Sequence, residues 1–246
     1  MSERFAILAD VHANTSALRE VFAYLDKEQV DTIYCLGDLV GYNADPSTCL
    51  KMLRGRNLVT IGGNHDRYVA TGQVGEIRPA TVQAVEFTRR TLSGEEIAFL
   101  SSLQDQKVVR DAFLLVHGSP RDRDEYILTA AGANANLAVL QEKFLGIDIC
   151  FFGHCHIPMI VGNGKVETQF SATRTVALER YRTYLINPGS VGQPRDRCRD
   201  TSFGIFDPGA WAMTVVRLPY PVEETQAQIA AAGLDLQLAK RLELGI

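Results

Sequence analysis

The stretch Phe5-Ala6-Ile7-Leu8-Ala9-Asp10-Val11-His12 decides the reading of the fold. Its first five residues form a short continuous apolar run, which predicts a strand buried on both faces. The run stops abruptly on two side chains able to bind metal. Four further apolar runs end the same way. Ile33–Leu36 ends in Gly37-Asp38, and Leu58–Ile61 in Gly62-Gly63-Asn64-His65-Asp66. Phe113–Val116 ends in His117-Gly118, and Ile149–Phe152 in Gly153-His154-Cys155-His156.

Between these runs the early sequence alternates with helical patterns. Leu18, Phe22 and Leu25 share one face, with Asn14, Thr15 or Ser16 as the N-cap. A helix is predicted to start at Asp45-Pro46-Ser47, with Pro in its first turn, and another over Pro79–Leu92. Ser93-Gly94-Glu95-Glu96 reads as a capping box opening a helix to about Leu103. Later, Lys107–Arg110 and Phe113–Val116 flank a hairpin turn at Asp111-Ala112. A helix over Gly132–Phe144 is followed by strands near Ile149–Phe152, Ile157–Val161, Thr183–Ile186, Ser202–Phe206 and Met213–Leu218. Glu223–Leu244 reads as helical, broken near Gly233. Early alternation and late clustering of strands predict a layered α/β domain, with a mixed sheet or two stacked sheets and helices outside. No repeat or linker divides residues 1–246, so one domain with a helical tail over 221–246 is expected.

Composition narrows the function. With 25 Lys plus Arg against 29 Asp plus Glu, the formal charge is −4, so no stable nucleic-acid complex is expected. No apolar stretch approaches a membrane span, and the N-terminal residues lack a signal-peptide layout. Five cysteines without a CxxC pair point to a reduced, cytoplasmic compartment.

All five histidines, at 12, 65, 117, 154 and 156, follow apolar runs directly. In α/β folds the crevice outside the carboxyl ends of strands is where ligands bind. If the segments are extended, residues i and i+2 point the same way, so Asp10/His12 and His154/His156 each face one cavity, with Cys155 turned away as a structural residue. Two Asp, one Asn and four His make seven candidate ligands. That number suits two ions with a shared carboxylate better than a single tetrahedral zinc. Imidazole and oxygen without thiolate fit Mn, Fe, Co or Zn rather than Mg or Ca, with Mn favoured.

Asp10-x-His12, Gly37-Asp38-x-x-Gly41, Gly63-Asn64-His65-Asp66, His117 and Gly153-His154-x-His156 resemble, in order and spacing, the calcineurin-like metallophosphoesterase superfamily. Gly41-Tyr42-Asn43-Ala44-Asp45-Pro46, His117-Gly118-Ser119-Pro120 and Asn187-Pro188-Gly189-Ser190-Val191-Gly192 look like its small bacterial and archaeal phosphodiesterase branch. The resemblance implies a four-layer α-β-β-α sandwich with two central mixed sheets. It further implies that Asp10, His12 and His156 bind one metal, that Asn64, His117 and His154 bind a second, and that Asp38 bridges them. His65 would stand beside the scissile phosphate as general acid or transition-state stabiliser. The protein Ser/Thr phosphatases of the superfamily read GDxxDRG, whereas Gly41-Tyr42 occupy the Asp-Arg positions here. A protein phosphatase is therefore disfavoured, and the partner that orients His65 is left open.

Charge supports the same chemistry. Asp10 and Asp38 against two divalent ions leave about +2, or about +1 with a bridging hydroxide, which suits an anionic phosphate ester. Coordination brings the pKa of water to about 7, so hydroxide can attack phosphorus in line at neutral pH. The expected activity is hydrolysis of phosphodiesters or phosphomonoesters of small molecules or nucleotides. The alternatives are a nuclease of the same superfamily and a non-catalytic scaffold. Arg174, Arg180, Arg182, Arg195, Arg197 and Arg199 are candidate grips for extra phosphates, against the simpler reading of a solvated loop. Tyr42, Asn43, Arg67 and Tyr126 lie near motif loops and are weaker candidates for substrate contact.

Overall fold

A computed structural model describes residues 3–162 and 164–246. Its strands assemble into two six-stranded mixed sheets flanked by helices, the α/β arrangement expected. The first sheet contains β1 (Phe5–Leu8), β2 (Thr32–Cys35), β3 (Asn57–Thr60), β9 (Arg174–Ala177), β11 (Thr201–Asp207) and β12 (Ala212–Leu218), in the order β3-β2-β1-β11-β12-β9. The second runs β4 (Gln106–Val109), β5 (Phe113–Val116), β6 (Ile149–Phe151), β10 (Tyr184–Asn187), β7 (Met159–Gly162) and β8 (Lys165–Glu167). Within them β1, β2 and β3 are mutually parallel, as are β5, β6 and β10. Each parallel set therefore delivers its C-terminal loops to one end of its sheet.

Period-2 alternation explains why the strands read as unbroken apolar runs. On β1, Phe5 and Ile7 face the second sheet, while Ala6 and Leu8 face the helices. On β5, Phe113 and Leu115 take the inter-sheet side, and Leu114 and Val116 pack with the opposite layer. Phe5, Phe113, Phe151 and Phe206 interlock between the sheets, with Phe5 ring centroids 5.4, 6.3 and 5.3 Å from the other three. Truncating any one of these to Ala would cost about 3–5 kcal/mol.

Outside the first sheet lie α1 (Thr15–Glu28), α2 (Pro46–Arg54), α4 (Pro79–Thr91), α5 (Gly94–Ser101), α7 (Val222–Ala231) and α8 (Leu236–Leu244), all contributing to one apolar cluster. α6 (Ala130–Lys143) covers the second sheet. Asn14 caps α1 through its side chain, which accepts from Ala17 N–H. Ser93 and Glu96 form the capping box of α5. The β4–β5 hairpin turns through left-handed Arg110 and Asp111.

Asn64 and His65 open α3 (Asn64–Thr71), a helix absent from the expected elements, whose start is braced by the Asp66 carboxylate accepting from Gly63 N–H. This eight-residue helix is poor in apolar residues and begins after glycine, so it leaves a weak pattern. Arg174 belongs to edge strand β9, not to a loop. Its alternation is masked because only Val176 is shielded from solvent.

Among the described residues no helix is long and apolar enough to cross a membrane.

Candidate metal centre

The loops leaving β1, β2, β5 and β6 and the start of α3 meet at one place, held by a lattice of backbone bonds. Asp10 N–H donates to Gly37 O at 3.1 Å and His12 N–H to Asp38 O at 2.9 Å. Gly153 N–H donates to His117 O at 2.9 Å. The loop after β10 joins through Gly192 N–H to Asp10 O, 2.9 Å, and Ser190 Oγ to the same oxygen, 2.9 Å.

The seven expected ligands come together as two buried clusters. Asp10, His12, Asp38 and His156 form one, and Asp38, His117 and His154 the other. Asn64 joins the second, with Oδ1 2.9 Å from His117 Nε2. The route to convergence differs from the expected one. Asp10, His12, His154 and His156 have φ of 53°, 48°, 67° and 58°, so the chain is left-handed there and not extended. Tight turns, not strand alternation, aim these side chains, and His154 and His156 enter different clusters. Cys155 is nonetheless turned into the core beneath α6, where Asn187 Nδ2 lies 3.2 Å from its sulfur.

The hydrogen bonds fix the tautomers. His12 Nδ1 faces Val40 O at 3.1 Å, His156 Nδ1 faces Gln193 O at 2.6 Å, and His117 Nδ1 faces Leu36 O at 2.8 Å. A carbonyl only accepts, so these nitrogens carry the protons and each Nε2 presents a lone pair. His154 is reversed: Nε2 donates to Asp124 O at 3.1 Å, leaving Nδ1 as the lone pair. His12 Nε2 and His156 Nε2 then face each other at 3.2 Å, two acceptors with no proton between them. His117 Nε2, His154 Nδ1 and Asn64 Oδ1 repeat the pattern at 3.1 and 2.9 Å. Asp38 Oδ2 stands between the clusters, 3.5 Å from His12 Nε2 and 3.4 Å from His117 Nε2. Asp10 Oδ1 lies 3.6 Å from His156 Nε2, while its Oδ2 is buried without a hydrogen-bond partner among the described residues. Converging lone pairs and carboxylates form a buried donor set that could hold metal, with Asp38 in reach of both clusters.

The bare side chains register the same demand. Burial opposes ionisation of Asp38, but His117, His65 and His12 outweigh it and hold its carboxyl well below the usual range. Burial also opposes a charge on His117, yet Asp38 raises it to about 9, so at neutral pH its Nε2 position is contested between a proton facing Asp38 and a cation that would displace it. Burial pushes His154 down to about 3 and holds His12 and His156 well below an ordinary imidazole, leaving them neutral, as metal ligands must be.

His65 belongs to neither cluster. Its backbone N–H donates to Asp38 Oδ1 at 2.8 Å, which places the ring beside both clusters. The imidazole lies against Tyr42 and His12, with centroids at 4.2 and 4.8 Å, and burial lowers it to about 4. Its Nδ1 has no hydrogen-bond partner among the described residues. Tyr42, His65, Asn64 and His154 line a cavity of about 1090 Å³.

The weaker candidates separate. Tyr126 lines this cavity and stacks on His154 with centroids 3.8 Å apart. Asn43 is structural, donating to His12 O at 2.8 Å, and Arg67 pairs with Asp124 at 2.6 Å. Of the six arginines between 174 and 199, Arg195 alone reaches the cavity. Arg174 pairs with Glu167, Arg180 donates to Pro208 O and Gly209 O, and Arg182 pairs with Glu179. Sequence reasoning missed Gln193 and Asp124, which act through main-chain carbonyls that no residue type advertises. It also missed Tyr68 and Arg241, which line the cavity from α3 and α8.

Comparison with known proteins agrees with this geometry. Residues 4–209 match the calcineurin-like phosphoesterase superfamily domain. An uncharacterized protein of Methanocaldococcus jannaschii is 30% identical over 247 residues, covering 98% of this chain and 97% of its own. The crystal structure of a metallophosphoesterase from Sphaerobacter thermophilus superposes with a TM-score of 0.87 at 34% identity, over 100% of both chains. A hypothetical protein from Pyrococcus horikoshii shares the fold, with a TM-score of 0.81 at 20% identity over 99% of this chain and 98% of its own. The chain belongs to the calcineurin-like phosphoesterase superfamily.

Proposed function

We propose that this protein is a dinuclear metal-dependent phosphoesterase that hydrolyses phosphodiesters or phosphomonoesters of small molecules, nucleotides included. The observation that carries the reading is the pair of opposed lone-pair sets, His12 with His156 and His117 with His154, whose protons are all committed to backbone carbonyls. Asp10, His12, Asp38 and His156 would hold one ion, and Asp38, Asn64, His117 and His154 the other, with Mn²⁺ the favoured metal. Bound there, two divalent ions supply an activated water and neutralise charge on the phosphoryl oxygens.

The chain's own groups do the rest. Asp38 holds its two sides in register and, through Oδ1, fixes the His65 backbone. His65 is neutral at pH 7, and beside the clusters it offers an N–H to a phosphoryl oxygen; it would give a proton to the leaving alkoxide only as the imidazolium, a form that the negative charge of a bound phosphoester favours. Tyr42 and Tyr126 wall the site and limit water.

The test is elemental analysis combined with turnover of bis-para-nitrophenyl phosphate, phosphomonoesters and a phosphoprotein. Two ions per chain and diester turnover that is lost on chelation and restored by Mn²⁺ are expected. Phosphoprotein should be a poor substrate, since Gly41-Tyr42 replace an Asp-Arg grip. A fully metal-loaded chain that hydrolyses no phosphoester would overturn the reading.

A further inference from the structure

Beyond the metal clusters, the same cavity gathers positive charge that the protein leaves uncompensated. Arg78, Arg195 and Arg241 line it, and none forms an ion pair among the described residues. Two acids share the wall. Asp124 is already taken by Arg67 at 2.6 Å, and exposed Glu76 pairs with none of the three arginines.

Arg195 is held in place with care. Its backbone N–H donates to His156 O at 3.1 Å, and its guanidinium donates to Gln193 Oε1 at 2.9 Å. Gln193 is the residue whose carbonyl orients the His156 ring. The guanidinium also lies 5.6 Å from the centroid of the Tyr42 ring. These partners are neutral, so they orient the group without cancelling its charge.

Arg241 comes from α8, on the other side of the fold. Its Nε donates to Ile246 O at 2.7 Å. Burial and then the charge of Arg195 hold its guanidinium below the ordinary value, so the two cations repel one another across the cavity. A fold that positions two half-buried like charges on one cavity, where Asp124 is paired with Arg67 and Glu76 with neither of them, has made an anion site. Arg195 stands next to the metal clusters through His156 and Arg241 comes from α8, so the pair extends the positive cavity from the clusters to a place for a further group.

We propose that Arg195 and Arg241 form a second anion subsite, and that the substrate is a phosphoester carrying a further phosphoryl group, of the nucleoside diphosphate class. The proposal rests on the phosphoesterase reading for the placement of the first phosphoryl group at the metals. Tyr68, Tyr126 and Leu128 give the cavity a wall suited to the ring of such a substrate. Arg241 lies on α8, beyond residue 209, where the superfamily match ends.

Calorimetry on the full Mn²⁺-loaded chain tests this with two inert probes, α,β-methylene-ADP and adenosine 5′-methylphosphonate, which differ by the terminal phosphoryl group. The native chain should bind the first about tenfold or more tightly than the second. Arg241→Gln should reduce that preference to about threefold or less. Arg180→Gln, whose guanidinium is spent on Pro208 and Gly209 carbonyls, should keep it. Equal binding of both probes by the native chain, or an undiminished preference in Arg241→Gln, would overturn the proposal. If Arg241→Gln proves unfolded because the Ile246 contact is lost, Arg195→Gln carries the same comparison, and an undiminished preference there would equally overturn the proposal. A chain that shows the preference but hydrolyses no phosphoester would keep the subsite and remove the catalytic reading.

Discussion

A Cβ on Gly41 would lie 2.3 Å from His65 Nδ1. The imidazole occupies the space that any side chain at position 41 would need, and Gly41 also holds a left-handed φ of 91°. An orienting aspartate at this position is therefore excluded by the ring it would orient. His65 is aligned instead by its backbone bond to Asp38 and by the rings of Tyr42 and His12. Gly41→Ala should displace the ring while leaving the metal ligands in place. We expect metal content to stay at the native level in both Gly41→Ala and His65→Asn. Turnover should fall roughly 10²–10⁴-fold in His65→Asn. An ester with an alkyl leaving group should suffer more than one with an aryl leaving group; equal losses on both would assign His65 to electrostatic stabilisation rather than proton donation.

Asp38 is the single side chain common to both clusters. Asp38→Asn keeps an oxygen to accept from His65 N–H but removes the charge, and its amide N–H would donate to one of the facing imidazoles. Both ions should be lost on dialysis. His117→Ala should lose the second ion and retain the first. Elemental analysis showing one ion fully retained in Asp38→Asn would end the bridging role.

Cys155 stands between two proposed ligands but takes no part in either cluster. Burial pushes its thiol up to about 12, and Asn187 donates toward the sulfur at 3.2 Å. Cys155→Ala should therefore keep native metal content, and the native thiol should resist N-ethylmaleimide until the chain unfolds. Metal loss in that variant would show the sulfur to be a ligand, and rapid labelling mapped to Cys155, apart from half-buried Cys198, would show that it is not enclosed.

Much of this was legible in the residues. Continuous apolar runs reveal strands buried on both faces, and Phe5 and Ile7 against Ala6 and Leu8 show why. Histidines confined to the ends of such runs reveal the site. What the chain does not display is main-chain geometry. The left-handed turns at Asp10 and His154 do not follow from residue type, since aspartate and histidine adopt extended backbone at least as readily. Nor can a carbonyl such as Asp124 O, which sets the His154 tautomer, be read from side-chain chemistry. Arg241 escaped because a single arginine on an amphipathic terminal helix is indistinguishable from a solvated one until α8 is placed against the cavity.

The loop that carries His117, Asp124 and Tyr126 to the site depends on one carboxylate. Glu125 accepts from Ser119 Oγ at 2.6 Å, Arg121 Nε at 2.8 Å and buried Asn136 Nδ2 at 3.0 Å. Arg121 first, against the opposing effect of burial and with help from Ser119 and Asn136, lowers its carboxyl to about 2. The unfolded chain returns it to about 4.3, so the native state favours the ionised form. A depressed native value contributes stability above the unfolded pKa and loses it as pH falls toward about 2. Glu125→Gln should accordingly destabilise the protein at pH 7 by about 1–2 kcal/mol, a figure reduced from the full shift because Arg121 is exposed enough for solvent to screen it. Urea unfolding of the native chain and the variant should show this gap constant from pH 7 to about 5 and narrowing from there to pH 3. Protonation of the metal ligands affects both proteins alike and cancels in the difference. A gap that stays constant over that range would mean that Glu125 acts through packing and not through its charge.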